Sequence, residues 1–397
     1  MNKKNLLMLT ATLLSAPYVD AEPIDFSASV GLEFRGFLQD PLFDRQGNGI
    51  QPSLFAEPEI KWRSDDRKHR FSFIGFARKD EQDSERTHVD IRELYWSYQS
   101  GNWTTTLGIN KVFWGVTESV HLVDVINQTD LVEDLDQEDK LGQPMIHFSN
   151  QQDWGRLELF ILPYFRERTF PGLDGRFSFG IDIDEDNPIY ESGDDEKHVD
   201  LALRYSHYIG DVDIGLHVFE GTNREPRFVP SDDFSQLRPV YDQMTQFGTD
   251  VQYTREAWLW KLEAIHRDTR VDDFWAAVGG VEYTFYQVFE SDADLGLLVE
   301  YQYDDRNPAS SPTIADNDVF VAARYALNDT QDTSILAGIV MDTDNDTKFI
   351  NIEAERRIGE NLSAELRIRA FTDVDETDFA SAFSQDDYAQ LSLSWYF

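Results

Sequence analysis

Hydrophobic and polar residues alternate with a period of two along most of the chain. In the last twelve residues, Leu391, Leu393 and Trp395 fall on one face, and mostly polar residues fall on the other. The same alternation runs through 26–35 and 362–370. A period of two is that of a β-strand with one apolar and one polar face. The sequence shows no amphipathic stretch with a helical period, so the pattern predicts an all-β protein.

About eighteen segments show this alternation, and several of them are about 10–13 residues long. Such strands are longer than the 5–6 residues usual in globular proteins, and their length suits a tilted crossing of a bilayer. The predicted strands are 26–38, 52–64, 69–80, 88–99, 102–112, 144–151, 155–166, 198–209, 212–221, 242–254, 257–268, 273–287, 292–305, 316–327, 332–343, 346–358, 361–372 and 386–397.

Short turns alternate with long acidic loops between these segments. Outer-membrane barrels place short turns on the periplasmic side and long loops outside. The pattern therefore predicts a transmembrane antiparallel up-and-down β-barrel of about 18 strands, or of 16 if one hairpin is misassigned. The even count places both chain termini on the short-turn side. The predicted long loops are 39–51, 113–143, 167–197, 222–241, 306–315 and 373–385.

Aromatic residues cluster near the ends of the predicted strands, as in Trp96 with Tyr98 and Trp258 with Trp260. Such rings favour the boundary between membrane and water, where they form girdles around a barrel. The alternative is that they fill the core of a soluble β-sandwich. A sandwich, however, does not explain why long loops alternate with short turns.

The N-terminus has the pattern of a secretory signal peptide. Two lysines precede the apolar stretch 6–14, and small and polar residues follow up to Ala21. We predict two parts, a signal peptide over 1–21 and a single outer-membrane β-barrel domain over 22–397. Beyond the signal peptide no run of about 18 apolar residues occurs, which excludes a helical membrane protein.

The composition excludes several classes of function. The chain carries 74 acidic and 35 basic residues, for a formal charge of −39. A field of this sign repels phosphates, so we predict no nucleic-acid partner. The chain has no cysteine, which excludes thiol catalysis, cysteine-ligated zinc, iron–sulfur clusters and disulfides.

The final strand resembles the C-terminal assembly signal of Gram-negative outer-membrane barrels, in which alternating hydrophobic residues end in an aromatic residue. Trp395 and Phe397 carry that resemblance. The whole chain resembles the porin-like class of 16–18 strands. The run 108–115, followed by 124–127, also resembles an uncharacterised proteobacterial subgroup of these barrels.

The resemblance implies export by the secretory pathway and a place in the outer membrane of a Gram-negative cell. It also implies contact with the barrel-assembly machinery, with outer-membrane lipids and with lipopolysaccharide. A homotrimer, the usual porin assembly, is a candidate oligomeric state.

The polar faces of the strands line the lumen if the apolar faces contact lipid. Loop 113–143 is the third long connection, and it resembles the third porin loop, which folds into the barrel and narrows it. Folded inward, its carboxylates would face lumenal arginines and favour cations; folded outward, it is a solvated charged loop. The candidate constriction residues are Asp124, Asp130, Glu133, Asp134, Asp136, Glu138 and Asp139 of the loop, with Arg204, Arg324, Arg367 and Arg369 of the wall.

The sequence thus predicts a porin-like channel for ion transport and passive diffusion of small hydrophilic solutes. We expect a weak cation preference, no catalysis and no cofactor. Alternating aspartates at 182–186 and 342–346 are typical of turns and lack the glycine of a calcium loop, so no metal site is predicted.

Two alternatives stay open. His147 and Ser149 resemble an element of outer-membrane lipid hydrolases, in which histidine activates serine. A lipid-handling barrel is therefore one alternative to the channel. A dedicated exporter of one substrate is the other.

Overall fold

The computed structural model describes residues 24–397, and the predicted signal peptide lies outside the described residues. Within 24–397 the chain forms 22 strands and three short 3₁₀ turns at Asp195–Lys197, Val288–Glu290 and Phe379–Phe383. None of the helical turns in this range is long and apolar enough to cross a membrane.

The strands are β1 (Asp25–Phe37), β2 (Ile50–Arg63), β3 (His69–Asp80), β4 (Val89–Ser100), β5 (Trp103–Asn110), β6 (Gln143–Gln152), β7 (Gly155–Leu162), β8 (Asp182–Ile183), β9 (Ile189–Tyr190), β10 (Asp200–Ile209), β11 (Val212–Thr222), β12 (Arg227–Pro230), β13 (Gln236–Tyr241), β14 (Gln243–Arg255), β15 (Trp258–Thr269), β16 (Asp273–Phe285), β17 (Asp294–Asp304), β18 (Asp318–Ala326), β19 (Ser334–Asp342), β20 (Lys348–Ile358), β21 (Leu362–Thr372) and β22 (Tyr388–Tyr396).

Eighteen of these strands form one antiparallel sheet that closes into a barrel. β1 pairs with β2 on one side and with β22 on the other, so the first and last strands join. Each predicted strand corresponds to one barrel strand, which confirms the eighteen-stranded prediction and shows that the count of 16 is wrong. β8, β9, β12 and β13 form a small separate sheet in the loops.

The two faces of the barrel strands differ as the alternation predicts. Leu203 and Leu297 point outward and expose 43 % and 46 % of their surface. Glu263 and Glu300 point inward and are fully buried. An apolar outer face is what a bilayer requires, while inward charges need partners inside the barrel.

The connections differ in length at the two ends of the barrel. One end, the loop end, carries the long segments, and the other, the turn end, carries mostly short turns and both ends of the described chain. Three connections at the loop end, 81–88, 270–272 and 343–347, are nevertheless short. The long connections are 38–49, 111–142, 163–199, 223–242, 305–317 and 373–387.

Apolar clusters fill much of the lumen toward the loop end. In one cluster Trp114, Val123 and Ile126 of segment 111–142 pack against wall residues such as Phe160 and Phe219. In another, aromatic residues of 163–199 and 373–387 pack against Phe371 and Tyr388. Parts of three long segments therefore pack against the inside of the wall at the loop end.

Candidate functional site

Residues 111–142, which we call the inner segment, connect β5 to β6 and lie inside the barrel. Val123, Ile126 and Asp130 near its middle are buried. The segment contacts the wall at two places, which we call the carboxylate anchor and the arginine anchor. It therefore crosses the lumen from one side to the other.

The carboxylate anchor consists of Glu263 on β15 and Glu300 on β17. Glu263 Oε1 accepts hydrogen bonds from the backbone nitrogen of Val116 at 2.6 Å and from Thr117 Oγ1 at 2.7 Å. Its other oxygen accepts from the backbone nitrogen of Val123 at 3.2 Å. Glu300 Oε2 accepts from the backbone nitrogen of Ser119 at 2.9 Å. Two buried carboxylates thus satisfy a turn of backbone that would otherwise lack acceptors.

Arg204, a predicted selectivity residue, supports this part of the segment from the wall. Its guanidinium makes a bidentate pair with Asp250, at 2.7 and 2.9 Å. It also lies over the Trp114 ring, 4.8 Å from the ring centroid. Both charges are buried. Arg204 therefore packs against Trp114 of the inner segment and does not pair with the acidic residues at 130–139.

The arginine anchor joins Asp134 and Asp136 to Arg367 and Arg369 on β21. Arg367 donates to Asp134, and Arg369 Nη2 lies 2.6 Å from Asp136 Oδ2. The Tyr388 hydroxyl donates to Asp134 at 3.2 Å. Burial opposes ionisation of Asp134, but the two guanidinium groups outweigh it and hold the pKa of this carboxyl below its usual range. Four predicted residues are brought together here.

Two further predicted acids pair with arginines that the sequence analysis did not single out. Glu133 Oε2 lies 2.7 Å from Arg78 Nη2 on β3, and Asp130 Oδ2 lies 2.7 Å from Arg92 Nη2 on β4. Burial acts to raise the pKa of Asp130, but His88 and Arg92 lower it to about 2. Arg78 falls on the polar face of β3, so alternation marks it as lumenal. Arg92 has the same parity as the outward-facing Leu94 and Trp96, and a β-bulge in the pairing of β3 with β4 turns it inward instead. The pairing of these two arginines with acids of the inner segment could not be predicted from the sequence.

Two other predicted residues, Glu138 and Arg324, lie on the exposed side of the inner segment. Glu138 pairs with His121 at 3.2 Å, and Arg324 on β18 pairs with Glu118 at 2.7 Å. Burial disfavours the imidazolium, but Glu138 and Glu263 raise the pKa of His121 to about 10. Arg324 and Glu138 keep 42 % and 54 % of their side-chain surface exposed.

Asp124 and Asp139 have different roles within the segment. Asp124 is partly buried and accepts a hydrogen bond from the Gly115 backbone at 3.0 Å, so it shapes the chain. Burial raises the pKa of Asp124. Asp139 is reached by water. Its depth in the barrel, with neighbouring Glu133 and Asp136, raises its pKa to about 7.

His147 and Ser149 both lie on the inner face of β6, but they have separate partners. His147 Nε2 lies 3.0 Å from Glu158, and its ring stacks on Phe160 with centroids 4.2 Å apart. Ser149 Oγ accepts a hydrogen bond from Arg156 at 2.8 Å. The structure does not arrange them as a base and its nucleophile, so the lipid-hydrolase alternative receives no geometric support.

Searches against protein-family models and against curated proteins give no match. Solved structures of outer-membrane barrels do match over nearly the whole chain. Wzi of Escherichia coli, described as a carbohydrate-binding β-barrel involved in group 1 capsule assembly, has a TM-score of 0.56 at 9 % identity and covers 94 % of this chain and 84 % of its own.

OccK11 (OpdR) of Pseudomonas aeruginosa has a TM-score of 0.52 at 10 % identity, over 94 % of this chain and 96 % of its own. A mutant of the Rh. blastica porin has a TM-score of 0.43 at 12 % identity, over 94 % and 100 %. The matches to Wzi and OccK11 show that the chain has the fold of outer-membrane β-barrels.

Proposed function

We propose that the protein is an outer-membrane channel through which small hydrophilic solutes diffuse passively, with a weak preference for cations. The observation that carries this proposal is the inner segment, which spans the lumen while leaving charged groups exposed to water on one side. A barrel of this size is wide enough for an aqueous channel. A segment folded across it reduces that width and so filters by size.

The proposed passage runs between the inner segment and the wall formed by β18 to β21. Carboxylates and cationic groups both line it, and carboxylates are the more numerous among the described residues. Groups of both signs orient dipolar solutes, while the excess of carboxylates favours cations. The lining groups are Glu118, Asp136, Glu138, Asp139, Glu353 and Glu365, with His121, Arg324 and Arg367.

Pairing limits the strength of this preference. Asp130, Glu133 and Asp134 are neutralised by arginines and do not face the passage as free charges. Salt screens the attraction between the exposed carboxylates and cations, because the Debye length falls from about 10 Å at 0.1 M salt to about 3 Å at 1 M. The proposed preference is therefore modest and weakens with salt.

The location and partners belong to the same proposal. The apolar outer face would contact outer-membrane lipids and lipopolysaccharide, after export by the secretory pathway. The barrel-assembly machinery would recognise the last strand of the barrel together with Trp395 and Phe397 at the end of the sequence. A homotrimer is the proposed assembly by analogy with porins.

The test is electrical recording from purified protein in a planar bilayer. We expect stepwise single-channel conductance and a reversal potential of cationic sign across a salt gradient. Changing Asp134, Asp136, Glu138 and Asp139 to the matching amides should reduce the cation preference and alter conductance together, also at high salt. A matched control changes four exposed loop acids, Asp186, Asp232, Asp233 and Glu376, to amides.

The control removes the same charge at the barrel exterior, so it should act only at low salt. Anion selectivity of the unmodified protein would contradict the cation preference. Correctly folded, heat-modifiable protein without any conductance would contradict the channel itself.

A further inference from the structure

A cavity of about 200 Å³ lies at the loop end, where the connection between β3 and β4 meets the inner segment and segment 163–199. Among the described residues that line it, Glu85, Asp90 and Glu185 are acidic, and Arg166 is the basic residue. His88 lies at its edge and is partly exposed to it. Solvent therefore reaches this cavity, and the excess of acidic residues in its lining favours a cation.

Three potential metal ligands meet beside this cavity. His88 Nε2 lies 3.4 Å from Asp130 Oδ2 and 3.6 Å from Glu133 Oε1, and the three atoms lie within 4.8 Å of one another. These separations exceed an ordinary N–H···O hydrogen bond of about 2.7–3.2 Å. They match the edge of a tetrahedral site, which is about 3.3–3.6 Å when metal–ligand bonds are about 2.0–2.2 Å.

The imidazole is already oriented for this role. His88 Nδ1 lies 3.1 Å from the backbone oxygen of Arg86. Because a carbonyl oxygen only accepts, Nδ1 carries the hydrogen, so the ring in its neutral form presents the lone pair of Nε2 to the two carboxylates. His88 Nε2 is a buried atom without a hydrogen-bond partner of good geometry. Histidine ligands of metals are commonly held by such a second contact.

Two arginines share the carboxylates. Arg92 Nη2 lies 2.7 Å from Asp130 Oδ2, and Arg78 Nε lies 3.1 Å from Glu133 Oε1. They hold the carboxylates in place, as outer partners of metal ligands do, and their positive charge weakens the affinity for a cation. The acids of the cavity lining offset part of that charge.

We propose that His88, Asp130 and Glu133 bind a divalent first-row transition metal ion such as Zn²⁺. One imidazole and two carboxylates form a donor set suited to these ions. The fourth position faces the cavity, where water completes the coordination. Because His88 belongs to the connection between β3 and β4 and the two acids belong to the inner segment, the ion would fasten the segment to the wall beside β4.

The experiment is isothermal titration of EDTA-treated protein, in a non-chelating detergent, with ZnCl₂. We expect one site in the unmodified protein, and binding at least tenfold weaker in His88→Ala. His207→Ala is the matched control. His207 lies on β10 in the lipid-facing register, and it takes part in none of the ion pairs among the described residues. The control should bind Zn²⁺ as the unmodified protein does.

A second variant separates loss of a ligand from damage to the connection. His88→Cys supplies another zinc ligand, so it should bind Zn²⁺, and Co²⁺ added in its place should show a thiolate-to-metal charge-transfer band. Co²⁺ in the unmodified protein should show the d–d absorption of tetrahedral coordination. Absence of Zn²⁺ binding by folded protein, or equal binding by His88→Ala, would overturn the proposal in favour of a protonated histidine between two acids.

Discussion

The two anchors of the inner segment differ in what they hold. At the carboxylate anchor, Glu263 and Glu300 accept hydrogen bonds mainly from backbone nitrogens, and the neighbouring apolar residues exclude water. At the arginine anchor, the guanidinium groups of Arg367 and Arg369 both lie close to three carboxylates. These carboxylates belong to Asp134, Asp136 and Glu353. The first anchor fixes the path of the chain, and the second balances charge.

This difference predicts that substitutions at the two anchors reduce the stability of the protein by unequal amounts. A backbone nitrogen that loses its only acceptor inside a dry site bears the full cost of desolvation. A guanidinium that loses one of several carboxylates keeps the others. We therefore infer that the carboxylate anchor is the rigid support of the segment. The arginine anchor would instead set the electrostatics of the passage.

The largest effect is expected for Glu263→Ala. Removing this carboxylate leaves the backbone nitrogens of Val116, Thr117 and Val123 without their acceptor. We expect the free energy of unfolding in lipid vesicles to fall by about 3 kcal/mol, and single-channel conductance to rise because the segment moves.

Glu282→Ala is the control for this experiment, since Glu282 is a lumenal carboxylate on the next strand, β16, outside both anchors. It should leave unfolding and conductance close to those of the unmodified protein. Equal effects of the two substitutions would show that the carboxylate anchor does not support the segment.

Asp134→Asn should have an intermediate effect. The arginines keep Asp136, Glu353 and Glu365 as partners, so the free energy of unfolding should fall by only about 1–2 kcal/mol. The positive charge left on Arg367 should move the reversal potential toward anions. Urea unfolding and reversal-potential measurements check both, with Asp232→Asn in an exposed loop as the control. A larger loss of stability than Glu263→Ala causes would reverse the ranking of the anchors.

A pH effect should follow from His121, which lies between Glu138 and Glu263. Its pKa in the fold, about 10, is above its usual value near 6.5. The charged form therefore stabilises the fold fully below about pH 6.5, and this contribution is lost as the pH rises through 10.

We expect His121→Gln to destabilise the protein by about 1–2 kcal/mol at pH 6, and the difference from the unmodified protein to shrink at pH 10.5. Denaturant unfolding at the two pH values measures it. A difference that stays constant with pH would contradict the charged pairing.

The smallest expected effect concerns Asp139, because water reaches this side chain. Its pKa of about 7 means that it gains its charge as the pH rises through neutrality. Cation preference should therefore be slightly greater at pH 8 than at pH 5.5, in reversal potentials measured at low salt. In Asp139→Asn that increment should disappear, and an increment that persists would assign it to another group.

The barrel itself was readable from the sequence. A side-chain period of two decides which residues of 26–35 or 362–370 face lipid, because each strand must present one apolar face to the bilayer. The same rule places Arg78, Arg369 and Glu263 inside. The count of alternating segments then indicated eighteen strands, and the loop lengths indicated the end at which the long loops lie. These are local properties, so local patterns predict them.

The site depended on contacts between distant parts of the chain. Asp134 meets Arg367 across 233 positions, and Val116 meets Glu263 across 147. Acidic composition suggested free charges in 113–143, whereas the structure buries several of them in pairs with arginines. Sequence alone determined that this chain forms a barrel with a charged interior. Only the tertiary structure decided which charges neutralise each other and which still face water, because burial and pairing depend on how the inner segment crosses the lumen.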